Sequence, residues 1–359
     1  MTTVGLRGRG ARGGHTSVRP SRLDAPGDPR ATERVVDRRP SSPEDRRHDE
    51  ADGGHAHDDR GSGGRILSTM SERPAAPEDE VPIVPSPAAR LTGRALGIDV
   101  GGTGIKAAVV DVASGELVTD EIRERTPRPA TPEALLAVVV DVVRRLEATG
   151  MLTAGIPGGA GFPSVIREGR AMTATQLDQR WIGAPVQQML EQRLRRPMVV
   201  LNDADAAGVA EIAHGVGQGQ PGVVLLLALG TGIGSALFVN GQLVPNMQLG
   251  HVEFHGRDAE TRLSSAARTR RKIGWKKWGG EFNELLAQYE EYLWPDLIIL
   301  GGGMAKEFSK YEKFLKTKAP LVAAAMGNTA GIVGAARVGE NAARASGATH
   351  SLGRPSRRE

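Results

Sequence analysis

Three short glycine-rich segments have the composition of phosphate-binding turns. Each follows an apolar run, so the sequence predicts a glycine turn at the end of a strand. Without a Cβ atom, glycine lets backbone N–H groups converge on an anion, and threonine adds a hydroxyl donor. One such turn alone could be an ordinary hairpin, whereas three at strand ends favour a phosphate site. The third also opens a predicted helix, whose N-terminus attracts anions. The segments are Gly101-Gly102-Thr103-Gly104, Gly230-Thr231-Gly232-Ile233-Gly234 and Gly301-Gly302-Gly303.

Two charged residues flank the first glycine turn. Asp99 precedes it and Lys106 follows it. A carboxylate beside bound phosphates can hold Mg²⁺, either directly or through water. The segment is not a Walker A loop, because the glycine spacing differs and no Ser or Thr follows the lysine. We therefore expect Asp99 to be a metal ligand and Lys106 to belong to the phosphate site.

An acidic segment follows another apolar strand. Val199-Val-Leu-Asn202-Asp203-Ala-Asp205 places Asn202 and Asp203 at the strand's C-terminal end, where α/β proteins carry active-site groups. An alcohol is a poor nucleophile, so phosphoryl transfer to it needs a positioned carboxylate that accepts its proton. We predict that Asp203 is this base. The alternative is that Asp203 or Asp205 only caps the helix predicted over 206–214.

A polar cluster follows a predicted hairpin in the second half of the chain. It reads Pro245-Asn-Met-Gln248-Leu-Gly-His251-Val-Glu253. Gln, His and Glu together offer hydrogen-bond donors and acceptors, which the neighbouring hydroxyls of a sugar require. A lone histidine would more often be structural, so the cluster by itself leaves both interpretations open.

The elements that carry these groups form two similar halves. Each half begins with a strand, a glycine turn and a second strand, which predicts a duplicated α/β architecture with a cleft between two lobes. Thr131 and Pro132 mark a helix start, and Asn240-Gly241 marks a hairpin. The predicted strands are 95–100, 105–111, 223–229, 235–239, 242–244 and 296–300, and the predicted helices are 132–150, 206–214, 280–294, 304–315 and 331–338.

Composition limits the class of protein. Of the 359 residues, 1–90 contain no Lys and no aromatic residue, so this head and the tail 339–359 are expected to be disordered. The absence of cysteine excludes disulfides and Cys-ligated zinc. No apolar run approaches the roughly 18–20 residues of a membrane span, and no secretory signal is recognised. In the head, arginines alternate with acidic residues, so that their charges mostly cancel. We expect a cytoplasmic protein without membrane or nucleic-acid partners.

Taken together, the motifs over residues 95–338 resemble the ROK family of sugar kinases and repressors. The resemblance implies an actin-like (ribonuclease H-like) ATPase fold with two α/β lobes, 91–201 and 202–338, and an active site in the cleft between them. The last helix is expected to pack back on the first lobe. Asp99–Lys106 and Gly230–Gly234 correspond to the family's phosphate motifs, and 301–303 to its nucleotide-side turn. Asn202 and Asp203 correspond to its sugar-binding Asn and catalytic Asp.

Within the family, the segment 251–268 is most similar to the actinobacterial polyphosphate glucokinase branch, which lacks the zinc motif of other members. The resemblance implies phosphorylation of the 6-hydroxyl of glucose from polyphosphate or ATP with Mg²⁺, without zinc, by a homodimer. Gln248 and Gln176 replace the usual Glu and Asn, which leaves other hexoses (mannose or an N-acetyl-hexosamine) or a weakly active sugar-binding relative as alternatives. The implied sugar ligands are Ser164, Gln176, Asn202, Gln248, His251 and Glu260.

A basic stretch supports a polyanionic donor. Arg270, Arg271, Lys276 and Lys277 form a predicted polyphosphate track, which would bind through charge attraction and counterion release. The alternative is a solvated basic face. A sugar-responsive repressor is disfavoured, because the head lacks the apolar residues of a helix-turn-helix domain.

Overall fold

The structure is a computed structural model that describes residues 93–352, with side chains described through 346. The predicted disordered head and the last residues of the predicted tail, 353–359, lie outside the described residues. Within the described range, no helix is both long enough and apolar enough to cross a membrane.

Two mixed β-sheets dominate the described chain. The first sheet has the order β3-β2-β1-β5-β8, with β4 also paired to β2, and the second has the order β11-β10-β9-β14-β15. Two small hairpins, β6-β7 and β12-β13, complete the strands between 93 and 352. The strands are β1 (Arg94–Val100), β2 (Gly104–Asp111), β3 (Glu116–Leu117), β4 (Ile122–Arg125), β5 (Gly158–Phe162), β6 (Ile166–Arg167), β7 (Arg170–Ala171), β8 (Met198–Asn202), β9 (Val223–Leu229), β10 (Ile233–Val239), β11 (Gln242–Val244), β12 (Glu253–Phe254), β13 (Arg257–Asp258), β14 (Leu297–Gly301) and β15 (Leu321–Ala323).

Helices connect the strands and cover the sheets. They are α1 (Pro132–Glu147), α2 (Val186–Leu194), α3 (Asp203–His214), α4 (Ala259–Leu263), α5 (Ser265–Arg271), α6 (Trp275–Leu293), α7 (Phe308–Tyr311) and α8 (Ala330–Leu352). The predicted cap is confirmed at α1, where the Thr131 side chain accepts from the N–H of Ala134.

The two sheets repeat one topology. In each, the first three strands of the half pair antiparallel, and two later strands add in parallel on the other side. A helix follows the last strand of each sheet, α3 after β8 and α8 after β15. Each sheet also has its own core: Phe162 meets Trp181 in the first, and Trp278 stacks on Phe282 in the second. The predicted two-lobed α/β fold is confirmed.

Helix α8 packs on the first sheet, although it follows the second in sequence. Ile332, Val333 and Ala336 lie in one apolar cluster with Ala95 of β1. The backbones approach so closely that a Cβ atom at Gly159 would lie 1.9 Å from the carbonyl oxygen of Ala335. Only glycine permits that distance.

The prediction that order ends at residue 338 is wrong. Helix α8 continues to Leu352, and Glu340 is 2% exposed and paired with Arg344 one turn later. The segment is rich in alanine, the strongest helix former, and the ion pair has the favourable i,i+4 spacing.

Two other helix predictions need correction. The segment 304–315 is not one helix: 3-10 turns at Gly303–Glu307 and Glu312–Phe314 flank the single turn of α7. The ring of Tyr311 is buried against Trp275 and Trp278, and this packing outweighs regular helix geometry. Helix α6 begins at Trp275, five residues before the predicted start, because Trp278 anchors it in the core despite Gly279 and Gly280.

Candidate active site

A cavity of about 380 Å³ lies between the two sheets. It collects the predicted site residues from both halves of the chain, apart from Gly102 and the four basic residues of the predicted track. The predicted residues on its wall are Asp99, Gly101, Thr103, Gly104, Lys106, Ser164, Gln176, Asn202, Asp203, Gly230, Thr231, Gly232, Gly234, Gln248, His251, Glu260, Gly301, Gly302 and Gly303.

The first glycine turn joins β1 to β2. It is closed by a hydrogen bond of 2.9 Å from the N–H of Gly101 to the carbonyl of Gly104. Asp99 and Lys106 are register partners, and the lysine Nζ lies 2.7 Å from Oδ2 of the aspartate. The same Nζ donates to the carbonyl of Asn328 at 3.0 Å, next to the start of α8. Lys106 is thus the counter-ion of Asp99 and links the turn to the last helix.

The second glycine turn joins β9 to β10. The N–H of Gly230 donates to the carbonyl of Gly232 at 3.0 Å, and Glu260 Oε2 accepts from the N–H of Ile233 at 3.2 Å. At Gly234 a Cβ atom would lie only 2.8 Å from that of Ala204. This close approach brings the turn against the first residues of α3, where Asp203 lies.

The third glycine turn follows β14, and Gly302 has a positive φ of 73°. The predicted α-helix does not begin here, because the following residues form a five-residue 3-10 turn. The turn borders the cavity without the N-terminus of a long helix, so any anion there would rely on the loop backbone.

Asp203 is the first residue of α3. Asn202, not an aspartate, caps this helix: its Oδ1 accepts from the N–H groups of Ala204 and Asp205 at 2.9 and 3.2 Å. The interpretation of Asp203 or Asp205 as the cap is therefore wrong. The Asn202 Nδ2 atom donates to the carbonyl of Ser164 at 3.1 Å, which ties the adjacent loop to the same strand end.

The electrostatic setting of Asp203 suits proton transfer near neutral pH. Burial, and secondly the negative charge of Asp99, raise the pKa of Asp203 to about 6. Its Oδ1 accepts from the N–H of Ala204 at 2.9 Å, which fixes the carboxyl at the cavity wall. A base whose pKa lies just below the operating pH is ionised and still accepts a proton effectively.

The predicted sugar-binding cluster lies on a segment held by a buried serine. The hydroxyl of Ser235 donates to the carbonyl of Met247 at 2.6 Å and accepts from the N–H of Leu249 at 2.9 Å. This holds the backbone on either side of Gln248, whose side chain is exposed in the cavity. Sequence reasoning missed Ser235, since a single serine inside a strand carries no distinctive pattern.

His251 is oriented by acids on the neighbouring element. Its Nδ1 lies 3.0 Å from Oδ2 of Asp258 and 3.9 Å from Oε1 of Glu260. Glu260 thus stands between the histidine and the second glycine turn. Asp258 is a further residue that the sequence analysis did not single out.

Ser164 and Gln176 lie on the wall contributed by the first lobe. The Ser164 hydroxyl donates to the carbonyl of Thr173 at 2.8 Å and accepts from its N–H at 3.1 Å, so its main contacts hold the loop together. Gln176 packs against the first glycine turn: a Cβ atom at Gly102 would lie 2.1 Å from its Oε1.

The structure divides the predicted polyphosphate track. Arg271 forms a two-point ion pair with Glu281, at 2.6 and 2.8 Å, and Arg270 donates to the carbonyl of Thr261 at 2.8 Å. Hydrogen bonds from Arg271, supported by Arg262, lower the pKa of Glu281 to about 2. Both predicted arginines therefore hold α4, α5 and α6 together.

Lys276 and Lys277 remain exposed on the first turn of α6. The short helix that precedes them begins beside the second glycine turn, where the N–H of Ala266 donates to the carbonyl of Gly230 at 3.2 Å. Helix α5 thus begins at the second glycine turn, and the exposed lysines follow it in sequence at the start of α6.

Comparison with known proteins identifies a family model and several relatives that match this chain. Residues 95–262 match the ROK family model. The polyphosphate glucokinase of Mycobacterium tuberculosis (strain CDC 1551 / Oshkosh) is 41% identical over 252 residues, which cover 70% of this chain and 93% of that protein. The polyphosphate glucokinase of Mycobacterium leprae (strain TN) is 40% identical over 255 residues, covering 70% and 77%.

Among solved structures, the inorganic polyphosphate/ATP-glucomannokinase from Arthrobacter sp. strain KM is similar in sequence and fold. It superposes with a TM-score of 0.66 at 43% identity, and the match covers 68% of this chain and 96% of that one.

Proposed function

The chain belongs to the ROK family, and we propose that it transfers a phosphoryl group from polyphosphate or ATP to the 6-hydroxyl of glucose, forming glucose 6-phosphate. One observation carries this proposal: the carboxyl of Asp203 borders a cavity that is also lined by all three glycine turns. The names of the mycobacterial and Arthrobacter relatives support the donor and acceptor classes.

Asp203 is the general base of the proposed reaction. It accepts the proton of the sugar hydroxyl while that oxygen bonds to phosphorus and the bond from phosphorus to the donor's bridging oxygen breaks. With a pKa of about 6, the carboxyl is mostly ionised at pH 7. Its fixed position at the start of α3 supplies the orientation on which phosphoryl transfer chiefly depends.

Magnesium fits the donor groups of the cavity. Mg²⁺ is usually held by one or two carboxylates together with substrate phosphates. Asp99, with a side chain 17% exposed at the first turn, offers such a carboxylate. Between residues 93 and 346, no group of three or more acidic or histidine side chains is arranged so that it could hold a metal ion by itself. When bound, the ion would neutralise charge on the donor phosphates.

The glycine turns are the proposed donor site, and the loops on the other walls are the acceptor site. Gln248, His251 and Glu260 supply sugar contacts from the second lobe, and Gln176 from the first. Ser164, whose hydroxyl donates to the carbonyl of Thr173, contributes only as an acceptor. Asn202 has one N–H of its Nδ2 group beyond the bond to Ser164, which remains for a sugar oxygen.

A long polyphosphate extends beyond a cavity of this size. We assign its outer part to Lys276 and Lys277, which are exposed and lie outside the cavity lining. The proposed enzyme is a homodimer, as the family resemblance implies. Its proposed location is the cytoplasm, where ATP and hexose phosphates occur.

Mannose is a second candidate acceptor. The Arthrobacter protein is named a glucomannokinase and is 43% identical to this chain. The replacement of a family Glu by Gln248 changes the hydrogen-bonding groups of the acceptor pocket, and epimers that differ in the orientation of one hydroxyl are distinguished by such groups.

A coupled assay for the hexose 6-phosphate formed, glucose 6-phosphate from glucose or mannose 6-phosphate from mannose, tests the proposed function directly. Polyphosphate and ATP are compared as donors at equal phosphoryl concentration, with glucose and mannose as acceptors. Product formation that is lost in Asp203→Asn supports the proposal. If neither polyphosphate nor ATP gives product, the proposal is overturned.

A further inference from the structure

One buried carboxyl that the proposed reaction does not use lies two residues after Asp203. Asp205 is 1% exposed, and its Oδ2 accepts from the backbone N–H of Asn246 at 2.8 Å. Its Oδ1 is buried without a hydrogen-bond partner among the described residues. Burying a carboxyl costs free energy unless both of its oxygens are hydrogen-bonded. The contact that Asp205 makes near the start of α3 therefore needs a specific explanation.

Asn246 links the second lobe to the first through its side-chain amide. Its Oδ1 accepts from the N–H of Ile166 and its Nδ2 donates to the carbonyl of the same residue, both at 2.8 Å. The side-chain amide thus pairs with one backbone residue as a neighbouring strand would. Asn246 belongs to the loop after β11 of the second sheet, whereas Ile166 begins the β6-β7 hairpin after β5 of the first.

Both partners lie next to proposed acceptor ligands. Ile166 follows Ser164 by two residues, and Asn246 precedes Gln248 by two residues. The segment between Asn246 and His251 is held at two places: Ser235 bonds the backbone of Met247 and Leu249 on either side of Gln248, and Asn246 fixes its first residue against the opposite lobe. The connected contacts therefore join helix α3 to the two opposite walls of the acceptor site.

We propose that Asp205 and Asn246 are positioning residues, which set the separation of the two acceptor-binding segments and their place relative to Asp203. The inference rests on the proposed function and adds to it two residues that do not line the cavity. Misplacement of a substrate by about 1 Å can cost two orders of magnitude in rate. Replacement of Asp205 or Asn246 weakens binding of the acceptor sugar more than binding of the phosphoryl donor, because other hydrogen bonds hold the glycine turns that form the proposed donor site.

The first test replaces Asn246 by glycine. Asn246 has a positive φ of 63°, so glycine keeps the backbone conformation and removes only the side chain. Asn240→Gly is a matched control: Asn240 has φ 50°, and its side chain accepts from the N–H of Gly222 at 2.9 Å on a hairpin outside the cavity. We expect Asn246→Gly to raise KM for glucose about tenfold or more and to change KM for ATP less than about twofold. Asn240→Gly should change neither.

The second test compares two replacements of Asp205. Asp205→Ala removes the acceptor for the Asn246 N–H and should raise KM for glucose in the same way. Asp205→Asn keeps an oxygen acceptor and should restore most of the affinity. Combining Asp205→Ala with Asn246→Gly should cost less than the product of the single effects, because both changes break one chain of contacts.

The outcomes separate the inference from the proposed function. A wild-type protein that does not phosphorylate glucose overturns the proposed function and the inference together. An active wild type whose Asn246→Gly variant matches Asn240→Gly, or loses affinity for both substrates equally, overturns the inference alone. Should Asn246→Gly fail to fold, Asn246→Asp is measured in the same way; it keeps the acceptor for the Ile166 N–H but replaces the donor by a carboxylate oxygen that faces the Ile166 carbonyl.

Discussion

The negative charge of Asp99 acts on Asp203 across the cavity and adds to burial in raising the pKa of Asp203 to about 6. The two carboxyls lie at the ends of strands β1 and β8, which are separated by β5 in the first sheet. Lys106 balances Asp99 from the neighbouring strand. This arrangement places the proposed metal ligand and the proposed base at one edge of a sheet, with different charge environments.

Replacing Asp203 by Asn should reduce kcat by about 10²–10⁴-fold, the usual cost of losing a general base. Binding of ATP should be retained, because the glycine turns do not depend on this carboxyl. The measurement is steady-state kinetics together with ATP binding by calorimetry. A variant that keeps nearly wild-type kcat would show that Asp203 only borders the cavity.

The pH dependence of the wild type should report the same group. The base acts in its ionised form, so kcat/KM for glucose should fall about tenfold per pH unit below about pH 6 and level off above it. A second pH series, measured with another acceptor sugar at saturating ATP, checks that the fall of kcat/KM at low pH comes from a group of the enzyme. A midpoint near pH 4, the ordinary range of an aspartate, would contradict the assigned environment.

Replacing Gln248 by Glu should lower KM for glucose several-fold. An ionised acceptor makes stronger hydrogen bonds to hydroxyl groups than an amide does. Gln242→Glu, on an exposed position of the β11 hairpin, is the matched control and should leave KM unchanged. An unchanged or higher KM for Gln248→Glu would show that the pocket has adapted to the amide.

Replacing Lys276 and Lys277 together by Gln should raise KM for long polyphosphate several-fold and leave KM for ATP unaltered. The increase should be larger at low salt, since screening already weakens such contacts at high salt. The double change of the exposed Arg144 and Arg193 to Gln, on the first lobe, removes the same charge elsewhere. Equal effects of the two double variants would mean that only net charge matters.

Replacing Asp205 by Asn should stabilise the protein more at pH 8 than at pH 5. Burial is the main reason that the pKa of Asp205 is raised to about 7. Between about pH 4 and 7 the folded state therefore holds a proton that the unfolded state has lost, and the contribution of this group to stability falls as pH rises. Asparagine does not ionise and escapes this loss.

The measurement for Asp205→Asn is its Tm relative to wild type at the two pH values, with Asp120→Asn at an exposed position as control. The difference should grow by several degrees for Asp205→Asn and remain constant for the control. A constant difference at both positions would contradict a raised pKa at Asp205.

Much of the site could be predicted from the sequence, because its signals are local. An apolar run followed by glycines specifies a strand and a turn wherever it occurs, and the three glycine turns do border one cavity. The position of Asp203 at a strand end follows from the same pattern. Boundaries that depend on packing were predicted less well: Trp278 and Tyr311 reshape α6 and the segment after Gly303.

What the sequence by itself determined is thus the two-lobed repeat, the turns and the position of Asp203, the proposed base, at the end of a strand. Only the tertiary structure decided which basic side chains remain available to bind a ligand. Arg271 is held by Glu281, ten residues away, while Lys277, in the same basic run, stays exposed. The pairing of Asn246 with Ile166 joins residues 80 positions apart. Contacts of this kind depend on how the helices and the two lobes pack, and neither residue type nor local spacing specifies that.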